Sequence, residues 1–198
     1  EICDEHGILW IADEVMAGFG RCGEWFAVDH WGPRPDLICF AKGVNSGYVP
    51  LGGVVMSAAV AATFDDRPYP GDLTYSGHPL ACASAVASIE AFQEEGIVEN
   101  AAAMGEYFGE ALAGLQAKHP SIGEVRGLGA MVAIELVKSG DAHQPDADLA
   151  KALVKRAAEK GLVLLSCGLR GNVIRFLVPL TASDEIIREG LRRFLEVA

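Results

Sequence analysis

Two charged residues stand directly after apolar runs, where an amine and a carboxylate could act on one ligand. Asp13 follows the run at residues 8–12, and Lys42 follows the run at residues 37–41. Open α/β sheets bind ligands at the carboxyl ends of their strands, so both side chains would lie at such an edge. The small neighbours of Lys42 would leave its amine partly desolvated, which lowers the pKa of a lysine and frees the neutral amine to attack a carbonyl. Taken alone, the two residues could equally be solvated charges at strand ends.

Short apolar runs predict the strands that would position these residues. They are apolar on both faces, as is typical of strands buried in a mainly parallel sheet and covered by helices. The runs lie at residues 8–12, 37–41 and 53–56.

The remaining sequence predicts helices and strands in alternation, which indicates an α/β fold. Helical patterns occupy residues 80–94, 98–118, 146–160 and 183–197, with Pro79 suited to a first helical position. Strand patterns occupy residues 130–136, 162–165 and 173–178. The pattern changes near residue 97, so we expect two domains, at residues 1–97 and 98–198, with the helix from Val98 bridging them.

The composition argues against several classes of function. The 27 acidic and 16 basic residues give a net charge of −11, whereas nucleic-acid binders and proteins of anionic membranes need a basic surface. No run approaches the roughly 20 apolar residues that span a bilayer. The five cysteines and five histidines show no metal-binding spacing. These features fit a soluble cytoplasmic protein without a metal site.

Several separate blocks of the chain resemble the class III pyridoxal-phosphate (PLP) aminotransferases in order and interval. The blocks lie at residues 11–15, 18–23, 35–37, 40–43, 74–81, 125–129 and 172–180. Within that family, residues 164–168 and the strand that contains Arg175 look most like 4-aminobutyrate aminotransferases. Residues 46–53 are also similar to taurine–pyruvate and β-alanine–pyruvate enzymes.

The resemblance implies a role for each matching residue. The chain would be the C-terminal half of a fold-type-I enzyme: part of the PLP-binding large domain at residues 1–97, then a small domain. Lys42 would bind the cofactor and move the proton in catalysis, Asp13 would pair with the pyridinium nitrogen, and Val15 would pack on the ring. Thr74 would bind the phosphate of the cofactor held mainly by the partner in a homodimer. Arg175 would receive a substrate carboxylate, which suits a planar guanidinium.

Other roles stay open for some of these residues. Arg175 in an apolar strand could form a structural salt bridge, because a buried arginine needs a partner. Thr74 could be only a turn residue. Arg126, which lies between turn residues, could bind an anion or hydrogen-bond nearby carbonyls. Met16 stands where 4-aminobutyrate enzymes commonly have glutamine, so the match to that substrate is incomplete.

The function implied is transfer of an amino group from an ω-amino acid, such as 4-aminobutyrate, to a 2-oxo acid. One alternative is another PLP reaction on the same scaffold: taurine or β-alanine–pyruvate transamination, racemisation or amino-group migration. A non-catalytic module that keeps the fold is the other. The residues present do not distinguish 2-oxoglutarate from pyruvate as the acceptor.

We expect the isolated 198-residue chain to bind PLP weakly or not at all. In the family, the glycine-rich turn and helix N-terminus that grip the phosphate precede the region matched here, and a helix N-terminus is a strong part of a phosphate site. Titration of the isolated chain with PLP, followed by visible absorbance, checks this. A band from a lysine-bound cofactor at micromolar PLP would contradict it.

Overall fold

The computed structural model describes residues 1–71 and 73–198, which divide into two compact units, Glu1–Val98 and Glu99–Ala198. Each unit contains one sheet. Among the described residues, no helix is both long enough and apolar enough to cross a bilayer.

The sheet of the first unit has three short strands in the order β1-β2-β3. They are β1 (Ile11–Asp13), β2 (Leu37–Phe40) and β3 (Gly53–Met56). β1 pairs with β2 in parallel, and β2 pairs with β3 antiparallel. The sheet expected to be mainly parallel is therefore mixed in this part, because the chain reverses direction between residues 41 and 52.

The apolar strands of this sheet are less buried than their composition predicts. Ile11 is 56% exposed, and Val54 and Val55 are 46% and 52% exposed. Val54 and Val55 point to opposite faces of the sheet, so neither face is fully covered within the described residues.

The described residues of the first unit form three α-helices. They are α1 (Ile2–His6), α2 (Ala58–Ala61) and α3 (Pro79–Glu94). Gly7, in left-handed conformation, ends α1, and Pro79 occupies the start of α3. Short 3₁₀ helices lie at Ala27–His30, Lys42–Asn45 and Ala62–Phe64.

The second unit packs three helices against an antiparallel sheet of order β4-β5-β7-β6. The helices are α4 (Ile97–Gln116), α5 (Ala147–Glu159) and α6 (Asp184–Leu195). The strands are β4 (Ile122–Leu128), β5 (Met131–Leu136), β6 (Leu165–Cys167) and β7 (Val173–Phe176). Asp146 and Ser183 accept hydrogen bonds from the first turns of α5 and α6.

The core of this unit follows from the period-two pattern of its strands. In β5, Val132, Ile134 and Leu136 are buried on one face and alternate with half-buried residues. Phe176 of β7 packs edge-on against Phe194 of α6, with ring centroids 5.0 Å apart. The other face of β5 carries the half-buried Met131, Ala133 and Glu135.

Two strands of this unit differ from the sequence prediction. β4 was not predicted, because its glycines mask the strand pattern. A Cβ at Gly127 would lie 2.4 Å from the Met131 carbonyl oxygen, so this glycine permits a close backbone approach within the hairpin. β6 begins at Leu165, where the predicted strand ends.

Gly105 of α4 is expected to tolerate no side chain. Its Cβ would lie 2.2 Å from the Gly129 carbonyl oxygen, a backbone atom that cannot rotate away. Gly105→Ala should lower the free energy of unfolding by about 1–3 kcal/mol through overpacking. Gly109→Ala is the matched control on the same helix: no atom lies within 4 Å of its Cβ, so it should raise the free energy of unfolding by about 0.5–1 kcal/mol. Urea denaturation measures both, and equal effects would contradict the contact.

Candidate active site

The parallel pairing of β1 with β2 brings Asp13 and Lys42 to the same edge of the sheet. Asp13 is in register with Cys39, and Lys42 begins a 3₁₀ helix just beyond the end of β2. Adjacent strands lie about 4.8 Å apart, so the two side chains start from neighbouring strand ends.

Asp13 holds its carboxylate in a fixed direction. Its Oδ1 accepts a hydrogen bond of 3.1 Å from the N–H of Val15. The side chain is exposed, and its other oxygen has no hydrogen bond to the described residues. One carboxylate oxygen is thus oriented by the backbone while the other stays available to a ligand.

Lys42 combines an available amine with an unusual backbone. Its φ of +44° is left-handed, a conformation that costs a non-glycine residue of the order of 1–3 kcal/mol and recurs at functional sites. The side chain is exposed, and its amine has no ion pair or hydrogen bond within the described part of the chain. Its small neighbours Ala41 and Gly43 leave Lys42 open to solvent within the described residues, so the expected partial desolvation stays a prediction.

Asn45 ties the segment after Lys42 to helix α3, a role that no sequence pattern predicts. Its side chain is 1% exposed, and its Nδ2 donates to the carbonyl oxygens of Val49, at 2.7 Å, and Ala81, at 3.2 Å. Its Oδ1 is buried without a hydrogen-bond partner among the described residues. The loop that carries Lys42 is therefore fixed to the first turn of α3.

Cys22 lies near the site but is not suited to act as a nucleophile. It is buried, and burial together with the nearby Glu14 carboxylate raises the pKa of its thiol. The thiolate is the reactive form of cysteine, so this side chain stays neutral and unreactive near pH 7.

Thr74 lies in the turn that leads into α3. Ser76 closes this turn: its N–H donates to the Leu73 carbonyl oxygen, and its Oγ accepts from the Leu73 N–H. Thr74 is exposed, as are its neighbours Leu73 and Tyr75, at 77% and 78%. No hydrogen bond joins Thr74 to Asp13 or Lys42 within the described residues.

Arg175 belongs to the second unit and lies on the sheet face opposite the core. It is opposite Ala133 on one neighbouring strand and Leu165 on the other, whereas Ile174 and Phe176 point into the core. It is half-buried, and no carboxylate of the described residues pairs with it. The structural salt bridge considered for this arginine is therefore absent from the described part of the chain.

Arg126 lies on the same face but is already neutralised. The sequence placed it between turn residues, yet it lies within β4, and its Nη1 contacts Glu124 at 2.5 Å and Glu135 at 2.7 Å. The hydrogen bond from Arg126, followed by one from Asn172, lowers the pKa of Glu135. The partners of Arg126 are two carboxylates of its own sheet rather than nearby carbonyls, so Arg126 has a structural role in this sheet.

No group of three or more histidine, cysteine or acidic side chains in residues 1–71 and 73–198 is arranged to hold a metal ion. Among the residues that the resemblance singles out, the Lys42 amine, one Asp13 oxygen, the Thr74 hydroxyl and the Arg175 guanidinium have no partner within the described residues.

The chain matches the family described as aminotransferase class-III over residues 1–197. It is 50% identical to the 5-aminovalerate aminotransferase DavT of Pseudomonas aeruginosa and 48% identical to the 4-aminobutyrate aminotransferase GabT of Escherichia coli, each over 192 residues. In both cases the match covers 96% of this chain but only 44% of the relative. The chain thus spans less than half the length of these relatives.

Solved transaminase structures share the fold. A transaminase from the marine bacterium Virgibacillus superimposes with a TM-score of 0.93 at 33% identity, over 99% of this chain and 46% of that one. The taurine:2-oxoglutarate aminotransferase of Bifidobacterium kashiwanohense, solved with PLP and glutamate, gives 0.91 at 35% identity, over 99% and 45%. The prediction of an α/β fold corresponding to part of a fold-type-I PLP enzyme is confirmed.

The ion pair between Arg126 and Glu135 should stabilise the second unit in a pH-dependent way. The pKa of Glu135 is lowered in the folded state, so its contribution is present above about pH 4.5 and is lost as the pH falls through the lowered pKa. Glu135→Gln should reduce the free energy of unfolding at pH 7 by no more than about 1 kcal/mol, because Arg126 is partly exposed.

The measurement is chemical denaturation of wild type and Glu135→Gln from pH 7 to pH 3, with Glu106→Gln, an exposed residue of α4, as the control. The difference between wild type and Glu135→Gln should shrink with falling pH. A difference that is constant across this range would show that the ion pair does not cause it.

Proposed function

Because this chain belongs to the class-III aminotransferase family, we propose that it forms the lysine-bearing part of a PLP-dependent aminotransferase. The observation that carries this proposal is that Asp13 and Lys42 lie at the ends of neighbouring parallel strands. Lys42, Asp13, Thr74 and Arg175 all lie within the matched region.

The available groups fit those that PLP requires. Lys42 offers an amine for the aldehyde of the cofactor, and Asp13 offers a free carboxylate oxygen for the ring nitrogen. Thr74 offers a hydroxyl for the phosphate of the cofactor held mainly by the partner subunit. The bound cofactor supplies an aldehyde that condenses with amines and a protonated ring that withdraws electrons from the substrate carbon.

The residues of this chain would then have separate tasks. Lys42 would hold the cofactor, and its free amine would take a proton from the donor carbon and return it during transfer. Asp13, oriented by the Val15 N–H, would keep the proton on the ring nitrogen. Val15 would pack against the ring. Arg175 binds a substrate carboxylate through its planar guanidinium.

The proposed amino donor is an ω-amino acid of the 4-aminobutyrate type, and the acceptor is a 2-oxo acid. The relatives named for 4-aminobutyrate and 5-aminovalerate support this class and add a second candidate donor that the sequence did not suggest. The two acids differ by one methylene, which a binding pocket distinguishes by only about 1–3 kcal/mol. The 5-aminovalerate and 4-aminobutyrate relatives are 50% and 48% identical to this chain, so the comparison does not choose between the two donors.

We also propose that the protein acts as a homodimer in the cytoplasm. The exposure of Leu73 and Tyr75 beside Thr74 leaves that turn open to a partner subunit, whose cofactor phosphate Thr74 would bind. The net charge of −11 is compatible with a cytoplasmic protein.

Replacing Lys42 in the complete protein that contains this chain tests the proposal. Loaded with PLP, Lys42→Ala should lower kcat for amino transfer by at least about 10²–10⁴-fold, because the proton-transfer group is lost. Lys118→Ala, at an exposed lysine in the other unit, is the control and should leave kcat unchanged. Amino transfer at the wild-type rate by Lys42→Ala would refute the proposal.

The same assay resolves the substrates. The donors are 4-aminobutyrate, 5-aminovalerate, β-alanine and taurine, each with 2-oxoglutarate or pyruvate. A higher kcat/KM for the first two donors supports the proposed class. Activity only with taurine, or PLP chemistry without any keto-acid acceptor, would replace it with one of the alternatives.

A further inference from the structure

Glu14 is the one charged side chain that is fully buried among the described residues. It is 2% exposed and follows directly after Asp13. Its Oε2 accepts a hydrogen bond from the N–H of Ala27 at 3.0 Å, and its Oε1 accepts one from the N–H of Val28 at 2.9 Å. These N–H groups open a 3₁₀ helix and have no partner within it. Since a buried carboxylate is costly unless it is hydrogen-bonded, this arrangement favours one fixed position for the turn.

The backbone of Glu14 is fixed as firmly as its side chain. Its N–H donates to the Cys39 carbonyl oxygen at 2.9 Å, and its own carbonyl oxygen accepts from the Gly18 N–H at 2.9 Å. Residues 14–28, here called the Glu14 loop, are thus attached at both ends to a single residue at the end of β1.

Phe19 is the buried centre of the Glu14 loop. Its φ is +57°, and its N–H donates to the Trp25 carbonyl oxygen at 2.7 Å. Its ring centroid lies 5.5 Å from that of Phe26 and 5.8 Å from that of Phe40, the last residue of β2. The ring therefore joins the Glu14 loop to the strand that leads to Lys42.

The same phenylalanine lies directly against Gly43. A Cβ on Gly43 would be 2.8 Å from the Cβ of Phe19 and 3.3 Å from the carbonyl oxygen of Gly18. The preceding residue is Lys42, whose left-handed φ persists only where the surroundings hold it. The Glu14 loop, through Phe19 and Gly18, contacts the backbone at Gly43 and so helps to hold the left-handed conformation of Lys42.

We propose that Glu14 is a positioning residue for Lys42. Its two hydrogen bonds keep the Glu14 loop in place, the loop seats Phe19 against Gly43, and this contact sets the direction in which the Lys42 amine leaves the backbone. The effect on catalysis rests on the proposed function of Lys42. The side chain of Glu14 acts through the loop, since its two oxygens accept hydrogen bonds from Ala27 and Val28.

The variant Glu14→Gln in the PLP-loaded complete protein tests this role. An amide can accept only one of the two N–H donors and presents an NH₂ to the other, so the turn should shift. A displacement of the amine by about 1 Å should lower kcat about 10- to 100-fold, with KM for the amino donor changed less than about twofold. Glu24→Gln makes the same chemical change at an exposed residue of the loop without a hydrogen bond in the described structure, and should leave both constants unchanged.

A second measurement needs no cofactor. In cofactor-free protein, amide hydrogen exchange over residues 40–46 should be faster in Glu14→Gln than in wild type and Glu24→Gln, while exchange over residues 131–136 should stay constant. Faster exchange over residues 26–30 with unchanged exchange over residues 40–46 would confine Glu14 to a local structural role and overturn the proposal.

Phe19→Leu gives an independent variant that leaves the hydrogen bonds of Glu14 in place. It should reproduce both effects. The double variant should lose no more activity than the more impaired of the two single variants, because the effects of residues on one path are not additive. Fully additive losses would contradict a shared path. If Lys42→Ala is active, the proposed function itself fails; if Lys42 is required but Glu14→Gln behaves like Glu24→Gln, only the positioning role fails.

Discussion

The parallel pairing of β1 with β2 is the interaction on which the candidate site depends. It places Asp13 in register with Cys39, three residues before Lys42, so a carboxylate and an amine emerge from adjacent strand ends. A shift of one residue in this register would turn Asp13 to the other face of the sheet. The hydrogen bond from the Glu14 N–H to the Cys39 carbonyl oxygen extends the pairing beyond the strand and fixes the register where the chemistry is proposed.

The two units hold their candidate groups on different kinds of backbone. The first supplies the amine and carboxylate, held by irregular backbone: a left-handed lysine, a buried asparagine and a loop closed by a buried glutamate. The second supplies Arg175 from a regular antiparallel sheet with its own core. In that sheet Arg126 is balanced by two carboxylates, whereas Arg175 has no such partner among the described residues. The contrast favours a ligand as the partner of Arg175.

Features that the sequence predicts well are those set by local chemistry. The ends of α3, α5 and α6 follow from Pro79, Asp146 and Ser183, and the α/β class follows from the alternation of apolar runs. Lys42 and Asp13 were found because strand ends are where such folds bind ligands. The family resemblance then gave Thr74 and Arg175 their expected roles.

Features that were missed depend on contacts between residues distant in sequence. The glycines of β4 do not predict a strand, and the strand forms because β5 packs closely against it at Gly127. The burial of Glu14 cannot be read from its type, since an acidic residue beside Asp13 suggests a second solvated charge. Asn45 is recognised only when α3 is placed next to it. Lys42 is exposed within the described residues, because small neighbours do not by themselves exclude water.

The central claim is that the Lys42 amine binds the aldehyde of PLP, and chemical trapping tests it most directly. The complete protein is loaded with PLP, reduced with borohydride so that any lysine-bound cofactor becomes permanently attached, digested and mapped by mass spectrometry. The account predicts the reduced cofactor on the peptide that contains Lys42 and at no other lysine in stoichiometric amount. Stoichiometric attachment to a different lysine, with Lys42 unmodified, would contradict it.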